Sequence, residues 1–183
     1  AEFLEAQRAA GVPVRTMCLS AQRKYPFGSA DAAIRARSME IFEKAVLFAG
    51  KAGVRLIQLA GYDVYYEPGS EDTRAWFAEG LAQAVGFAAE RGVILGFETM
   101  ETPFLDTVAK GMEYVRRINS PYLGMYPDIG NLTNAAKLYG TDVLDDLDEV
   151  KLCTAYKIDG KTTEYFPADT EELNRVEPVY ETL

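Results

Sequence analysis

The sequence contains no histidine. That absence excludes Ser-His-Asp triads, Cys-His pairs and His-containing zinc sites, and leaves proton transfer to carboxylates, Lys, Tyr or Cys. Any bound metal would be held mainly by oxygen, which suits magnesium or manganese better than a structural zinc. Cysteine is scarce as well. Cys18 and Cys153 lie far apart, each inside an apolar run, and read as two buried thiols rather than a disulfide. No stretch approaches the ~18 consecutive apolar residues of a transmembrane helix. The opening AEFLEAQRAAG carries charge throughout and has no apolar core of a signal peptide, so a cytoplasmic location is expected. Basic excess is also missing: the net charge is −9, which argues against nucleic acid or an anionic membrane as partner. A small phosphorylated substrate held by a local Arg or Lys remains compatible with that charge.

What is present is 183 residues, 48% hydrophobic and 26% charged, enough for one core of moderate size. Residues 1–10 read as a helix closed by Gly11. Apolar runs at 12–20, 54–61, 93–100 and 122–128 read as strands. Helical spacing recurs over 29–53, 70–92 and 102–119. The first of these has Ser29 or Asp31 as cap and Gly53 as stop; the last has Thr102 as N-cap and Pro103 at its first position. Trp76 falls on the second and reads as core. The strands are continuous apolar runs rather than alternations, the pattern of parallel strands buried on both faces in an α/β fold. The connections after helices are short (AGV, RGV). Those after strands are longer and hold the unusual residues: SAQRKYPFGS, GYDVYYEPGS, ETMET, DIGNLTN. In (β/α)₈ barrels the chemistry sits on such loops. A doubly wound sheet would usually show a glycine-rich phosphate loop after its first strand, and none is present. A complete barrel needs about 250 residues. The expected fold is therefore a partial TIM barrel of about four βα units, followed by a non-barrel C-terminal tail.

One stretch resists a reading by burial alone. LGMYPDIGN, residues 123–131, is an apolar run that breaks at Pro127 and ends on Asp128, with Gly130 and Asn131 behind it. Glu98 ends the preceding strand. Neighbouring parallel strands lie ~5 Å apart, so both carboxylates can face one point at the barrel mouth. Gln58, in IQLAG, projects into the mouth or makes a polar core contact. Arg23 and Lys24 sit in the first long βα loop, either meeting a substrate phosphate or simply solvated. Tyr62, Tyr65 and Tyr66 read as residues that pack or line the pocket wall rather than do chemistry.

Residues 1–141 resemble the L-ribulose-5-phosphate 3-epimerase family, also described as hexulose-6-phosphate isomerases, which belongs to the xylose-isomerase-like barrels. MCLSAQRKYPFGS, IQLAGYDVYYE, FAEGLAQAV, GFETMETPF and YPDIGNLTNAA carry the resemblance. It implies isomerase chemistry on a small phosphorylated ketose: proton abstraction at C3 through an enediolate, assisted by a divalent metal (Mn, Mg or Zn), in carbohydrate metabolism. It assigns Glu98 as ligand and base, Asp128 as ligand, and Gln58, Arg23, Lys24 and Asn131 to the substrate. The family's remaining His and Glu ligands, and its second acid/base carboxylate, find no counterpart here, and Gln22 stands where a His is expected. Residues 142–183 instead resemble a C-terminal segment of adenylosuccinate synthetase, through LDEVKLCTAYKIDG and VEPVYETL. The expectation is a chimeric chain: a barrel piece over 1–141 that holds metal weakly and is inactive alone, and a foreign tail over 142–183. The alternatives are a hexulose-6-phosphate isomerase and a non-catalytic α/β module without metal, such as one that forms a homo-oligomer.

Overall fold

A computed structural model describes residues 2–150, 155–158 and 162–165. Four strands, β1 (Thr16–Cys18), β2 (Leu56–Ala60), β3 (Ile94–Glu98) and β4 (Leu123–Tyr126), form one parallel sheet in chain order. Helix α1 (Glu2–Ala10) precedes it. Helices α2 (Ala32–Ala52), α3 (Glu71–Ala89) and α4 (Val108–Ile118) make the crossovers, and α5 (Ile129–Tyr139) and α6 (Val143–Val150) follow β4. Parallel strands require such long connections, so the order of elements dictates this half-wound architecture. No helix among the described residues is long and apolar enough to cross a membrane.

The registers Cys18↔Gln58, Gln58↔Gly96 and Glu98↔Tyr126 sort the side chains by face. Ile57, Leu59, Leu95, Phe97, Leu123 and Met125 point to the helices and are buried. Phe42 and Val46 of α2, Phe77 and Leu81 of α3, Met112 and Val115 of α4 and Leu132 of α5 meet them there. The Phe77 ring stacks on Phe97 at 5.7 Å. Each fully buried side chain of this size contributes roughly 1.5–3 kcal/mol. Gln58, Ala60, Ile94 and Glu98 point the other way and are half-buried, while Thr16, Cys18 and Tyr126 are exposed. Burial on both faces, expected from the apolar runs, thus holds for one face only among the described residues, because the helices cover only that face. Cys18 is for the same reason not a buried thiol; Cys153 lies outside the described residues.

Local chemistry sets the helix ends. Asp31 caps α2 by accepting from the Ala33 N–H at 2.7 Å, and Gly53 closes it at φ 76°. Ser70 and Thr73 form a reciprocal capping box on α3. The third crossover helix does not start at Thr102 as its Thr-Pro pair predicts. The Leu105 N–H closes a turn onto the Thr102 carbonyl, and α4 begins after Thr107, whose side chain accepts from the Lys110 N–H. Trp76 is not core either: it is half-buried, with the Arg35 guanidinium 4.3 Å from its ring, and the next residue, Phe77, fills the core.

The junction near residue 141 is not marked by a break in packing. Asp146 of α6 accepts from the Val108 and Ala109 N–H groups at the start of α4, at 3.0–3.4 Å, and Val143 and Leu147 pack against the main core. Further on, β5 (Ala155–Ile158) pairs antiparallel with β6 (Thr162–Tyr165) as a separate two-stranded sheet. Ala155 and Tyr156, at the end of the apolar run VKLCTAY, therefore do not extend the main sheet; residues 151–154, 159–161 and 166–183 lie outside the described residues.

Candidate active site

The mouth is built where β2, β3 and β4 end. Gln58 and Glu98 lie on the same face of neighbouring strands, two residues apart in register, and the Gln58 Nε2 donates to Glu98 Oε2. Gly61 lets the strands stay this close: a Cβ there would sit 2.4 Å from the Glu98 carbonyl oxygen. Gly96, two residues before Glu98 on β3, leaves room in the same way for the Tyr126 side chain that lies across it.

Asp128 does not end a strand. Strand β4 stops at Tyr126, and Asp128 is the N-cap of α5, its Oδ1 accepting from the Asn131 N–H at 2.8 Å. This is the ordinary reason for an Asp before a helix, and it answers some of the puzzle of LGMYPDIGN. The turn is tied to β3 by Thr99: the Asp128 N–H donates to Thr99 Oγ1 at 2.9 Å, and Asn131 Nδ2 donates to the Thr99 carbonyl at 3.0 Å. Thr99 is fully buried and follows Glu98 directly, so the latch holds the two carboxylate-bearing turns together.

The charges respond to that proximity. Burial pushes the Glu98 carboxyl above the usual carboxylate range, the Asp128 charge adds to the rise, and the Gln58 hydrogen bond opposes it. Two carboxylates that repel in this way present hard oxygen donors, the chemistry that magnesium or manganese takes. Glu98 and Asp128 thus fit a divalent cation as a two-carboxylate foothold. No group of three or more His, Cys, Asp or Glu side chains that could hold a metal occurs among the described residues.

Arg23 sits on the 3₁₀ turn Ser20–Arg23 of the β1–α2 loop, with its guanidinium 4.8 Å from the Tyr65 ring and 5.6 Å from the Tyr62 ring. Its Nη2 donates to the Tyr62 hydroxyl at 3.3 Å, and that hydroxyl donates to Glu101 Oε2 at 2.6 Å. Burial and the Glu101 hydrogen bond push the Tyr62 phenol upward, so it stays protonated. Lys24 stands apart from this group, its Nζ 5.4 Å from the Tyr25 ring.

Of the residues singled out in the sequence, the structure brings Gln58, Glu98, Asp128 and Asn131 together and sets Arg23 close enough for its charge to act on Glu98. Lys24 is not drawn into that group; its ring contact is with the neighbouring Tyr25. Thr99 and Glu101 were missed. Their only signal was their place in ETMET, directly after a strand-end Glu. Tyr62 is packed, being 2% exposed, whereas Tyr66 is 77% exposed.

The family described as "Xylose isomerase-like TIM barrel" matches residues 1–170. The chain is 47% identical over 123 residues to the L-ribulose-5-phosphate 3-epimerase UlaE of Salmonella typhimurium, an alignment covering 67% of this chain and 43% of that protein. The chain therefore spans less than half the length of this curated relative. Among solved structures, an L-ribulose 3-epimerase superposes with a TM-score of 0.67 at 19% identity, covering 82% of this chain and 51% of that one. A xylose isomerase-like barrel protein from Mycobacterium smegmatis, solved with magnesium, gives 0.60 at 14% identity, covering 90% of this chain and 59% of that one. At these identities the superpositions establish the fold.

Proposed function

The chain belongs to the xylose isomerase-like TIM barrel family, and from that premise we propose that it carries a portion of the active site of a sugar-phosphate 3-epimerase, acting on L-ribulose 5-phosphate to give D-xylulose 5-phosphate. The observation that carries the reading is the pairing of Glu98 with Gln58 beside the Asp128 turn. Epimerising C3 of a 2-ketose requires a base that takes the C3 proton, then a proton returned to the opposite face. Glu98 is the base. The Gln58 amide fixes one of its oxygens so that the other can turn to the substrate. Asp128 and Glu98 would hold the divalent cation, which when bound supplies Lewis-acid stabilisation of the negative charge developing on the sugar oxygens. A neighbouring fold solved with magnesium supports that choice of ion. Asn131 acts mainly by fixing the Asp128 turn, since its amide nitrogen is committed to Thr99. Arg23 receives the substrate phosphate, with Lys24 a peripheral cation on the same loop.

The test joins residues 1–141 to the region of the Salmonella relative that the chain does not cover. The product should epimerise L-ribulose 5-phosphate, and Glu98→Gln should remove ~10²–10⁴ of the rate. A hybrid that folds and binds Mn²⁺ yet epimerises no pentulose or hexulose phosphate overturns the assignment. The 183-residue chain alone should form no epimer of L-ribulose 5-phosphate above a buffer blank, because Glu98 is one of the two acid/base groups that inversion needs.

A further inference from the structure

Three separate βα loops converge on Arg23. The guanidinium comes from the first, the Tyr62 and Tyr65 rings from the second and the Glu101 carboxylate from the third. The hydrogen-bond polarity is determined. A phenol has one hydrogen, and Tyr62 gives its own to Glu101, so its oxygen can only accept, and it accepts from Arg23. The two rings meet edge to face with centroids 4.8 Å apart and offer the cation their electron-rich surfaces. Yet Arg23 stays exposed, while Tyr62 beneath it is buried. A solvated loop arginine needs none of this. A guanidinium that must meet a planar anion with its remaining N–H groups does, because orienting the fork beforehand spares its ordering on binding.

We propose that Tyr62, Tyr65 and Glu101 are positioning residues that hold the Arg23 guanidinium as an anion receptor at the mouth, and that this clamp makes the site prefer a phosphorylated ketose over its unphosphorylated counterpart. The identity of the sugar rests on the epimerase reading; the anion receptor does not. Glu101 is central although it touches no anion: it orients Tyr62, which in turn orients Arg23. Lys24, the neighbouring cation, stands over a different ring and stays outside the clamp.

The experiment uses the full 183-residue chain in the presence of Mg²⁺. Inorganic phosphate is titrated while the arginine Nε–Hε resonances are followed by NMR, and L-ribulose 5-phosphate and L-ribulose are then compared by calorimetry. The Arg23 resonance should move on addition of phosphate, and Arg23→Gln should abolish the preference for the phosphorylated sugar, a loss of about tenfold or more. Tyr62→Phe, which keeps the ring, and Glu101→Gln should each weaken phosphate binding about threefold to tenfold, with the melting midpoint retained. Lys44→Gln, an exposed α2 cation paired with Glu40 and outside the binding machinery, should leave phosphate binding unchanged. Phosphate binding that survives Arg23→Gln, or that is untouched by both Tyr62→Phe and Glu101→Gln, overturns the clamp, as does equal sensitivity to Lys44→Gln. A phosphate preference that persists where the hybrid barrel fails to epimerise supports the receptor and rejects the reaction.

Discussion

Asp128 does two things with one carboxylate, and the two can be separated. As an N-cap it supports α5; as a charge it acts on Glu98. Asn is as good a cap as Asp, so Asp128→Asn should leave stability close to the parent while Mn²⁺ binding, followed by EPR, is lost. Asp128→Ala should lose both, with a cost of about 1 kcal/mol in urea unfolding. Equal Mn²⁺ affinity in parent and Asp128→Asn would remove Asp128 from the metal. Glu98 makes a prediction in the opposite sense. Its carboxyl is raised in the folded state, so folding favours the protonated form. The resulting stability is fully present below the unfolded-state value, near ~4.3, and is lost as pH rises through the higher folded value. At pH 7 the ionised Glu98 therefore opposes folding. Glu98→Gln should raise the melting midpoint there, on the order of 2 °C, and the gain should vanish in acid. Saturating Mn²⁺ should also narrow the difference. A Glu98→Gln variant that melts lower at pH 7 than at pH 4, relative to the parent, contradicts this sign.

At the level of elements, two joints hold the mouth in shape. The first is the close approach at Gly61. Its missing Cβ would meet a backbone oxygen, which cannot swing aside as a side chain can, so Gly61→Ala should force β2 and β3 apart at the end that carries Glu98. A loss of about 1–3 kcal/mol is expected, together with a weakened Gln58–Glu98 contact seen in the Gln58 side-chain amide resonances. The second is Asp146 of α6, whose carboxylate meets the first turn of α4, where free N–H groups and the helix dipole favour a negative charge. Asp146→Ala should destabilise by about 1–2 kcal/mol and speed hydrogen exchange at Val108 and Ala109 before other α4 amides. These joints also mark what a sequence can and cannot disclose. Helices α5 and α6 were not expected. The identity of β1 to β4 and of α1 to α4 came through because the apolar positions of α2 and α3 repeat at helical spacing and because Val93 and Leu123 open short apolar runs. The α4 start did not, since Thr-Pro at 102–103 is a stronger local signal than Thr107 and only the turn closed by Leu105 decides between them. Glu98 and Asp128 were legible from their position after apolar runs. The partners that give them their properties were not. Thr99 reaches the Asp128 turn and Asn131 across chain separations of about thirty residues, which no local pattern encodes.

For the molecule as a whole, the question is where the barrel-like unit stops. The sequence reading expects a junction near 141, whereas the family match runs over residues 1–170 and α6 is fastened to α4 by Asp146 and to the core by Val143 and Leu147. Limited proteolysis should therefore spare residues 142–147 along with the sheet. Early cleavage between 140 and 147, read by mass spectrometry, would instead favour the boundary at the resemblance. The Thr99 latch has a consequence for how such proteins exchange segments. Glu98 and Asp128 lie in different βα units, yet the buried Thr99 binds the Asp128 turn through both its hydroxyl and its carbonyl. A recombination crossover between Thr99 and Asn131 would unite a β3 end and an α5 start that had not been selected together, and the carboxylates would drift out of alignment. Crossovers on either side of that interval would pass the pair on intact, so the segment from Glu98 to Asn131 should behave as one heritable cassette.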